Sequence, residues 1–465
     1  MSSSSEHGSC SKLPLREIPG SYGLPFFGAI KDRYDFHYNQ GIEAFFRSRM
    51  QTHQSTVYRA NVPPGPFMAG DSKARVDKTD FFDGNFMPST DFFGGYRLCP
   101  FLDTAEPQHQ TLKNFFLSTL AGLHNNFIPI FSLCMSQLFA ELEDGLEGKE
   151  GKSYFNDHSD ETTFNFMFRL FSDNKDPTET PVGSNGTTYL NKWVFLQLAP
   201  LMTLGLKYLP NFLEDLALHT FPLPFFLMKS DYKKIYDAFY TSLGSILYEA
   251  EKVGIKRDEA CHNFIFLAGF NAYGGMKVFF PSLIKWVGAA GEGLHGRLAE
   301  EIRAAVKQEG GVTLSALNKM SLTKSVVYET LRIEPPVPFQ VGRAREDIVV
   351  DSHESAFLIK KGEVIYGYQP LATRDPKIFE RGEEFVGDRF VGDGEKLVKY
   401  VYWSNGKETE NATAGDKQCP GKDLVVLLGR LMLVEFFLRY DTFSIEYGTI
   451  LLGPSVTFTS VTKAT

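Results

Sequence analysis

One cysteine stands directly before a strongly apolar helical stretch. The segment DKQCPGKDLVVLLGRLMLVEFF spans 416–437, and the run that follows Cys419 is so apolar that only a buried helix can accommodate it. A thiol at a helix N-terminus lies near the positive end of the helix macrodipole and near exposed backbone amides. Both lower the thiol pKa and favour the thiolate. The sequence therefore predicts a thiolate at the mouth of a buried helix.

The composition excludes several classes of protein. The 465 residues carry a net charge of −8 without a long basic run, so nucleic acid is not expected as a partner. The five cysteines are odd in number and scattered without a CxxC pair, which indicates a reduced intracellular chain rather than a disulfide scaffold or a zinc protein. The 42 phenylalanines predict a large apolar interior or an apolar pocket.

Most of the chain is predicted to form one domain. Residues 1–12 are expected to be disordered and 13–465 to form a single domain, since neither repeats nor low-complexity linkers divide them. The N-terminus has no apolar signal region and only weak features of a plastid transit peptide, so we expect a cytoplasmic protein or one peripheral on an intracellular membrane. The apolar segments 193–206 and 219–229 could touch a membrane without crossing it, or could be core helices.

Hydrophobic periodicity predicts a mainly α-helical fold with a small β region. A strand followed by a turn is expected at 55–67, and β propensity rises again from 339 to 402. A long apolar helix is predicted at 257–288, with an interruption at Gly274 and Gly275. The other predicted helices are 106–123, 126–146, 231–252, 294–308 and one within 321–338 that is stopped by Pro335 and Pro336.

Three charged residues upstream of the cysteine form a second pattern. In ETLR, Glu329 and Arg332 lie one helical turn apart and can pair, and FVGDRF supplies Arg389 further along. The pair alone is a weak signal, but its order before Arg389 and Cys419 strengthens it. A thiolate in an apolar setting is the proximal ligand that pushes electron density onto haem iron and favours O–O cleavage.

These motifs resemble those of the cytochrome P450 family. WSNGKETENATAGDKQCPGKD (403–423) resembles the extended cysteine loop of the plant branch that metabolises fatty-acid hydroperoxides: allene oxide synthases, hydroperoxide lyases and divinyl ether synthases. REIPGSYGLPFFGAIKDRYD, PPGPF, KSVVYETLRIEPPVPFQ and GYQPLATRDPKIF are similar as well, so the resemblance runs nearly from end to end. It implies a haem-thiolate cytochrome P450 fold, mainly α with a small β region. It also implies haem b as cofactor, Cys419 as the axial ligand of its iron, and structural roles for Glu329, Arg332 and Arg389.

The long helix indicates what kind of haem enzyme the resemblance implies. Monooxygenases of the family carry A/G-G-x-D/E-T, in which the acid and the threonine deliver protons to dioxygen. The corresponding residues in AGFNA (268–272) are Asn271 and Ala272, and neither an amide nor a methyl group relays protons in that way. The resemblance therefore implies a substrate that already contains an O–O bond, which Asn271 hydrogen-bonds. The alternative is an amide bonded to its own helix backbone.

Four further residues match family positions that contact haem. His109 and Lys113 lie at i and i+4 and project from one helix face, Lys417 lies two residues before the cysteine, and Lys78 lies in RVDKTDFF. Haem requires cations against its propionates. Without the resemblance, His109 and Lys113 would indicate a solvated helix face.

Three pocket positions bear on the reaction product. Phe82 in DFFDGNFMPS matches an aromatic residue associated with allene oxide synthases, and its ring could stabilise an electron-poor carbon; simple packing is the alternative. Phe270 matches a synthase relative, whereas Ala272 replaces a serine common in synthases and favours a lyase. The balance narrowly favours an allene oxide synthase, also called a hydroperoxide dehydratase.

The implied reaction belongs to oxylipin biosynthesis and requires no dioxygen, NADPH or reductase. Homolysis of a polyunsaturated fatty acid hydroperoxide gives an alkoxyl radical, which closes to an epoxide beside a carbon radical. Oxidation of that radical with loss of a proton gives an allene oxide. Chain fragmentation followed by recombination with the iron-bound hydroxyl instead gives a hemiacetal, which falls apart into a short aldehyde and an ω-oxo acid, the lyase alternative. Less favoured are a divinyl ether synthase, an NADPH-dependent monooxygenase and an inactive lipid-associated protein.

The chain departs from the family pattern near residues 70–77. Between PPGPF and DFFDG the family carries an additional segment with a strand and a short helix, whereas MAGDSK here runs almost directly into ARVDK. Loss of that strand would expose a sheet edge and could leave the protein unstable or inactive.

Overall fold

Helices make up most of the structure, in agreement with the hydrophobic periodicity. The computed structural model describes residues 13–24, 27–61, 69–72 (backbone only), 89–205, 208–219, 223–404 and 406–465, so the prediction for residues 1–12 lies outside it. The α-helices of these residues are α1 (Phe27–Tyr34), α2 (Ile42–His53), α3 (Pro107–Gly122), α4 (Phe127–Glu147), α5 (Phe155–Phe171), α6 (Gly186–Leu198), α7 (Asn211–Glu214), α8 (Lys229–Ser242), α9 (Gly244–Lys252), α10 (Arg257–Ile265), α11 (Gly274–Ala290), α12 (Glu292–Glu309), α13 (Leu314–Asn318), α14 (Ser321–Ile333), α15 (Gln369–Ala372) and α16 (Lys422–Arg439).

The strands form small sheets at the edges of the helical body. They are β1 (Leu15–Arg16), β2 (Tyr58–Asn61), β3 (Ala69–Ser72), β4 (Ser153–Tyr154), β5 (Phe339–Arg343), β6 (Ile348–Ser352), β7 (Ser355–Ile359), β8 (Val364–Tyr368), β9 (Tyr402–Trp403), β10 (Gly406–Lys407), β11 (Tyr440–Thr449) and β12 (Pro454–Lys463). The described strands pair in the orders β2-β3-β8-β5, β1-β7-β6, β11-β12-β4 and β10-β9. The β region predicted from 339 to 402 therefore consists mainly of β5 to β8, and most of its second half is irregular.

The sheet next to the predicted deletion is continuous where it is described. β3 pairs antiparallel with β2 and parallel with β8, so it lies inside the sheet. The outer strand β2 is partly covered, because Gly20 forms a parallel bridge with Arg59. Residues 73–77 lie outside the described residues, and the loss of a strand and a short helix there stays a prediction.

The long apolar helix differs from its prediction in one respect. Gly274 and Gly275 do not interrupt it; they begin α11 instead. The irregularity lies one turn earlier, where Phe266–Tyr273 forms a π-helix between α10 and α11. π-Helical turns are rare and occur frequently at functional sites. Periodicity of apolar residues does not distinguish such a turn from a regular α-helix, so the sequence does not predict it.

The ends of two other helices can be compared with their predictions. The predicted helix 231–252 is divided at Leu243 into α8 and α9, and Gly244 begins the second of these. The helix that begins at Ser321 ends at Ile333, before Pro335 and Pro336 as predicted, because a residue that precedes proline avoids the helical conformation.

The apolar segment that begins at Trp193 belongs to the core. Trp193, Val194 and Ala199 are at most 2% exposed, so the core-helix alternative is correct for this stretch. None of the helices in the described residues has both the length and the apolar character needed to cross a bilayer.

Helix α14 carries a fully buried ion cluster. Glu329 and Arg332 are both 0% exposed, with Arg332 Nε 2.6 Å from Glu329 Oε2, and Arg389 Nε lies 2.9 Å from the same oxygen. The two guanidinium groups also donate to backbone carbonyls of an irregular segment, at Thr373, Glu380, Arg381, Gly382 and Glu384. Isolated buried charges are costly, whereas this carboxylate is paired with two cations and hydrogen-bonded on both oxygens.

We expect Glu329→Gln to lower the free energy of unfolding by about 3–5 kcal/mol, because it leaves two buried guanidinium groups without their anion. Urea unfolding followed by circular dichroism measures the change. The matched control is Asp388→Asn, which removes the same charge from the half-exposed Arg297–Asp388 pair and should cost less than about 1 kcal/mol. Equal costs for the two variants would contradict a supporting role for the buried cluster.

Candidate active site

A cavity of about 1600 Å³ is lined by both the π-helical segment and the loop before α16. Pockets for one small molecule commonly measure about 300–1,000 Å³, so this cavity has room for a large cofactor together with a substrate. Asn271 and Cys419 both line it. Its aromatic walls include Phe101, Phe116, Phe266, Phe270 and Phe279.

Cys419 lies just before the N-terminus of α16, as the sequence predicts. Gly421 is the N-cap of that helix, and its backbone N–H donates to the cysteine sulfur. The prediction that the thiol pKa is lowered is wrong for the protein as described: burial raises the pKa of Cys419, and the Gly421 amide and the Lys113 ammonium oppose this only in part. The sequence argument considered the helix end but not the burial of the thiol.

The loop that carries the cysteine is fastened by the side chain next to it. Gln418 is 2% exposed, and its Nε2 donates to the backbone carbonyls of Lys407 at 2.6 Å and Glu410 at 3.1 Å. Gly406 lies so close to Gln418 that a Cβ at this glycine would stand 2.4 Å from Gln418 Cδ. The β9–β10 hairpin therefore packs directly against the residue that precedes the thiol.

The buried carboxylate of Glu408 holds the same hairpin in place. Glu408 accepts hydrogen bonds from the Tyr328 hydroxyl at 2.8 Å and from the Trp403 indole N–H. Lys422 Nζ lies 3.9 Å from Glu408, which joins the hairpin to the first turn of α16. Sequence reasoning missed Glu408 and Gln418, because nothing in the loop marks which of its polar residues turn inward.

The π-helical segment presents Asn271 to the cavity. Its side chain is exposed there and makes no hydrogen bond to any described residue. The alternative of an amide bonded to its own helix is therefore wrong for this structure. An amide that offers one acceptor and two donors remains available to a molecule in the cavity.

Phe270 and Ala272 line the cavity on either side of that amide. The Phe270 ring stacks on Phe266 with centroids 4.8 Å apart and meets Trp193 edge-on at 6.3 Å. Ala272 contributes only a methyl group beside Asn271. This part of the wall is apolar apart from the single amide.

The cations predicted to contact haem lie beside the cysteine loop, and two of them hold its surroundings together. His109 and Lys113 are 1% and 4% exposed, so the alternative of a solvated helix face is wrong. Lys113 Nζ donates to the carbonyls of Asp416, at 3.2 Å, and Gln418. Lys417 Nζ donates to the carbonyls of Pro100, at 3.2 Å, and Leu102. These bonds tie α3 and the turn at Cys99–Phe101 to the cysteine loop.

Lys78 and Phe82 lie outside the described residues, and their roles stay predictions.

The residues around the cavity suit a haem. One thiol and one asparagine amide line the same cavity, and three basic side chains stand beside the loop that holds the thiol. In the described part of the chain, no group of three or more His, Cys, Asp or Glu could hold a bare metal ion. A donor set of one thiolate matches iron that is held mainly by a macrocycle. Residues that would hold the group are Cys419, His109, Lys113 and Lys417.

We expect Cys419→Ser to abolish the thiolate signature in the absorption spectrum of the ferrous carbon monoxide complex, because serine is not a soft ligand. Cys99→Ser is the matched control: that thiol lines the same cavity, but it lies in the turn Cys99–Phe101 with its sulfur against the His109 carbonyl, and its loss should leave the spectrum unchanged. A normal spectrum from Cys419→Ser would contradict the ligand assignment.

Comparison with known proteins places these features in a family. The cytochrome P450 family profile matches residues 293–448. Allene oxide synthase 3 of Solanum lycopersicum is 62% identical over 476 residues, which cover 99% of this chain and 97% of the relative. A divinyl ether synthase of Nicotiana tabacum is 51% identical (98% and 99% covered), and chloroplastic allene oxide synthase 1 of Solanum lycopersicum is 52% identical (100% and 89%).

The first alignment spans 476 positions, more than the 465 residues of the chain, so that relative has residues which this chain lacks. The extent of similarity leaves no doubt about ancestry. The chain belongs to the cytochrome P450 family, in the plant branch that includes allene oxide synthases and divinyl ether synthases.

Proposed function

We propose that the protein is a hydroperoxide dehydratase of the allene oxide synthase type, which converts polyunsaturated fatty acid hydroperoxides without dioxygen, NADPH or a reductase. The observation that carries the hydroperoxide chemistry in this proposal is the pair Asn271 and Ala272, which line the same cavity as Cys419. An amide and a methyl group stand where proton delivery to dioxygen would need an acid and a hydroxyl. The similarity to allene oxide synthase 3 supports the same conclusion.

The cofactor would be haem b, and Cys419 would hold its iron. When bound, it supplies the one-electron chemistry that cleaves the O–O bond of a hydroperoxide. Gly421 donates its N–H to the cysteine sulfur, and Gln418 holds the adjacent backbone, so the ligand is oriented before the group binds. His109, Lys113, Lys417 and Lys78 would supply the cationic groups that the haem propionates require.

Asn271 orients the substrate. Its amide has no partner within the described residues, so it can accept from the hydroperoxide O–H and donate to the peroxide oxygens without breaking another hydrogen bond. Ala272 offers no proton, which prevents the proton-coupled chemistry of a monooxygenase at this position. The substrate is therefore held by the Asn271 amide, whose neighbours on the π-helical wall, Phe270 and Ala272, are apolar.

The aromatic wall decides what happens to the carbon radical and the cation derived from it. Phe266 and Phe270 stack against each other at the cavity, and an aromatic face stabilises an electron-poor carbon. We assign the same role to Phe82. Exclusion of water by this wall favours loss of a proton over capture of a hydroxyl group.

The second candidate is a fatty acid hydroperoxide lyase, which Ala272 favours because it replaces a serine common in synthases. A divinyl ether synthase is the third outcome, given the similarity to such enzymes. All three share the site and differ in the fate of the same radical.

The reaction products test the proposed function. The purified holoprotein, mixed with the 9- and 13-hydroperoxides of linoleic and linolenic acid without reductase, should give ketols and cyclopentenones, the products of an unstable allene oxide.

Asn271→Ala should lower kcat about 10²- to 10³-fold, by analogy with loss of one preorganised hydrogen-bonding group.

Mass spectrometry of the products distinguishes the candidates. Short aldehydes with ω-oxo acids would replace the synthase by the lyase, and divinyl ethers would identify the third candidate. A requirement for NADPH would overturn the proposal as a whole. Addition of NADPH is accordingly the control that should change nothing.

We also propose that the protein contacts an intracellular membrane peripherally. Exposed apolar side chains lie on α1, just before it, and on the segment that begins at α7: Leu24 (73%), Phe27 (74%), Ile30 (48%), Phe212 (60%), Leu213 (40%) and Leu216 (51%). The Arg33–Asp215 ion pair, at 2.5 Å, holds the two segments together, and the His37 and His219 rings stack 3.8 Å apart. His37 and Thr203 line the cavity, so this apolar surface stands beside a route for a lipid substrate.

Replacement of Phe27 and Phe212 by serine should weaken binding to phosphatidylcholine vesicles roughly 10- to 100-fold, because each ring loses its burial in lipid. Flotation with vesicles measures the bound fraction. Tyr447→Ser is the control: this residue is 58% exposed on the β11–β12 hairpin and should not matter. Unchanged flotation of the double variant would rule out this surface as the docking site.

A further inference from the structure

Behind the π-helical segment, on the side away from the cavity, lies a buried polar cluster. Tyr273 is 0% exposed and its hydroxyl donates to Asn191 Oδ1 of α6 at 2.8 Å. Both side chains lie against the carboxylate of Asp160 on α5, which is 3% exposed. Lys277, one turn along α11, donates to the same carboxylate. Three helices therefore meet at this cluster, which we call the Tyr273 brace.

None of the brace side chains belongs to the cavity wall in the described part of the structure. Phe270, Asn271 and Ala272 line the cavity, whereas Tyr273 and Lys277 do not. Two residues correspond to roughly half a turn of helix, so Tyr273 and Asn271 lie on nearly opposite faces. The brace cannot touch a substrate, and whatever it contributes to the reaction passes through the helix.

Burial of the charged and polar groups of the brace costs desolvation free energy, so we ask what the brace contributes in return. Burial raises the pKa of Asp160, opposed by Lys277, and raises the pKa of Tyr273 well above its usual value, so the hydroxyl stays a donor. A cluster of buried polar groups adds little stability over apolar packing of the same volume, but it does impose one geometry.

The segment that the brace holds departs from regular α-helical geometry. Phe266–Tyr273 is π-helical, and the Gly274 N–H reaches the carbonyls of both Asn271 and Gly269. A π turn can relax into α-helical hydrogen bonding, which would rotate the residues that precede it about the helix axis. A side chain fixed at Tyr273 opposes that rotation.

We propose that Tyr273, held by Asn191 and Asp160, is a positioning residue that fixes the direction in which Asn271 enters the cavity. This inference rests on the role given to Asn271 in the proposed function. Its consequence is that the brace acts on the substrate only through that asparagine.

A double-mutant cycle tests the inference on the holoprotein. Tyr273→Phe should lower kcat about 10- to 100-fold, since a misplaced positioning group costs rates of that order. It should also weaken the haem absorbance change on binding of the corresponding hydroxy fatty acid, an unreactive analogue without an O–O bond. Combined with Asn271→Ala, it should add nothing to the loss from Asn271→Ala alone, because residues that act through one another are not additive.

Tyr440→Phe is the matched control. That tyrosine is also 0% exposed and donates to a carboxylate, Glu143, at 2.7 Å, but it does not line the cavity. It should lower the thermal midpoint to a similar extent while kcat and analogue binding stay unchanged. Asn191→Ala removes the same hydrogen bond from the other side. It should reproduce the effect of Tyr273→Phe on kcat and analogue binding, and it takes the place of that variant if Tyr273→Phe fails to fold.

The outcomes separate this inference from the proposed function. If Asn271→Ala leaves kcat and analogue binding unchanged, the role of Asn271 in the proposed function fails. If Asn271→Ala lowers both but the Tyr273→Phe effect multiplies with it, or affects only the thermal midpoint, the positioning inference is overturned. Equal losses in the single Asn271→Ala variant and the double variant support it.

Discussion

The pairing of the buried Glu329 carboxylate with two arginines is the interaction on which the arrangement around the site depends. The carboxylate pairs with Arg332 from its own helix and with Arg389 from a segment sixty residues further along the chain. The two arginines donate their remaining N–H groups to carbonyls of backbone without regular structure. Such backbone would otherwise be buried with unsatisfied acceptors. One charge cluster thus replaces a strand or helix in holding the stretch that leads to the cysteine loop.

The cysteine loop is held in the same manner, by side chains that reach backbone carbonyls. Gln418, Lys113 and Lys417 all donate to carbonyls of the loop or of the turn facing it. Glu408 adds a buried anion that meets Tyr328 of α14 and Lys422 of α16. Helix α14 therefore supports both the Glu329 cluster and the cysteine hairpin, so the position of the thiol is determined from two directions. Rigid support of this kind is what keeps a metal ligand in one orientation.

The polar groups on the two sides of the π-helical segment differ in their hydrogen bonding. On the cavity side the single amide of Asn271 is left without a partner among the described residues, and the wall around it is apolar. On the opposite side Asp160, Tyr273, Asn191 and Lys277 are packed together away from the cavity. A group that must bind a substrate needs free hydrogen-bonding capacity, whereas the Tyr273 hydroxyl and the Lys277 ammonium are already bonded to Asn191 and Asp160. The π-helical turn lies at the boundary between the two sets.

The sequence by itself determined the elements and residues whose signals are local. Apolar periodicity located most helices to within a few residues, as in α3 and α4. The cysteine before an apolar helix, the Glu-x-x-R spacing and the Asn271–Ala272 pair could be read directly, because each lies in a short contiguous motif. The tertiary structure alone decided the π-helical turn, the raised pKa of Cys419 and the inward direction of Glu408. It also decided that Lys113 and Lys417 donate to carbonyls, and that Tyr273 meets Asn191 and Asp160. Each of these depends on burial or on contacts between residues far apart in the chain, and neither leaves a pattern in the local sequence.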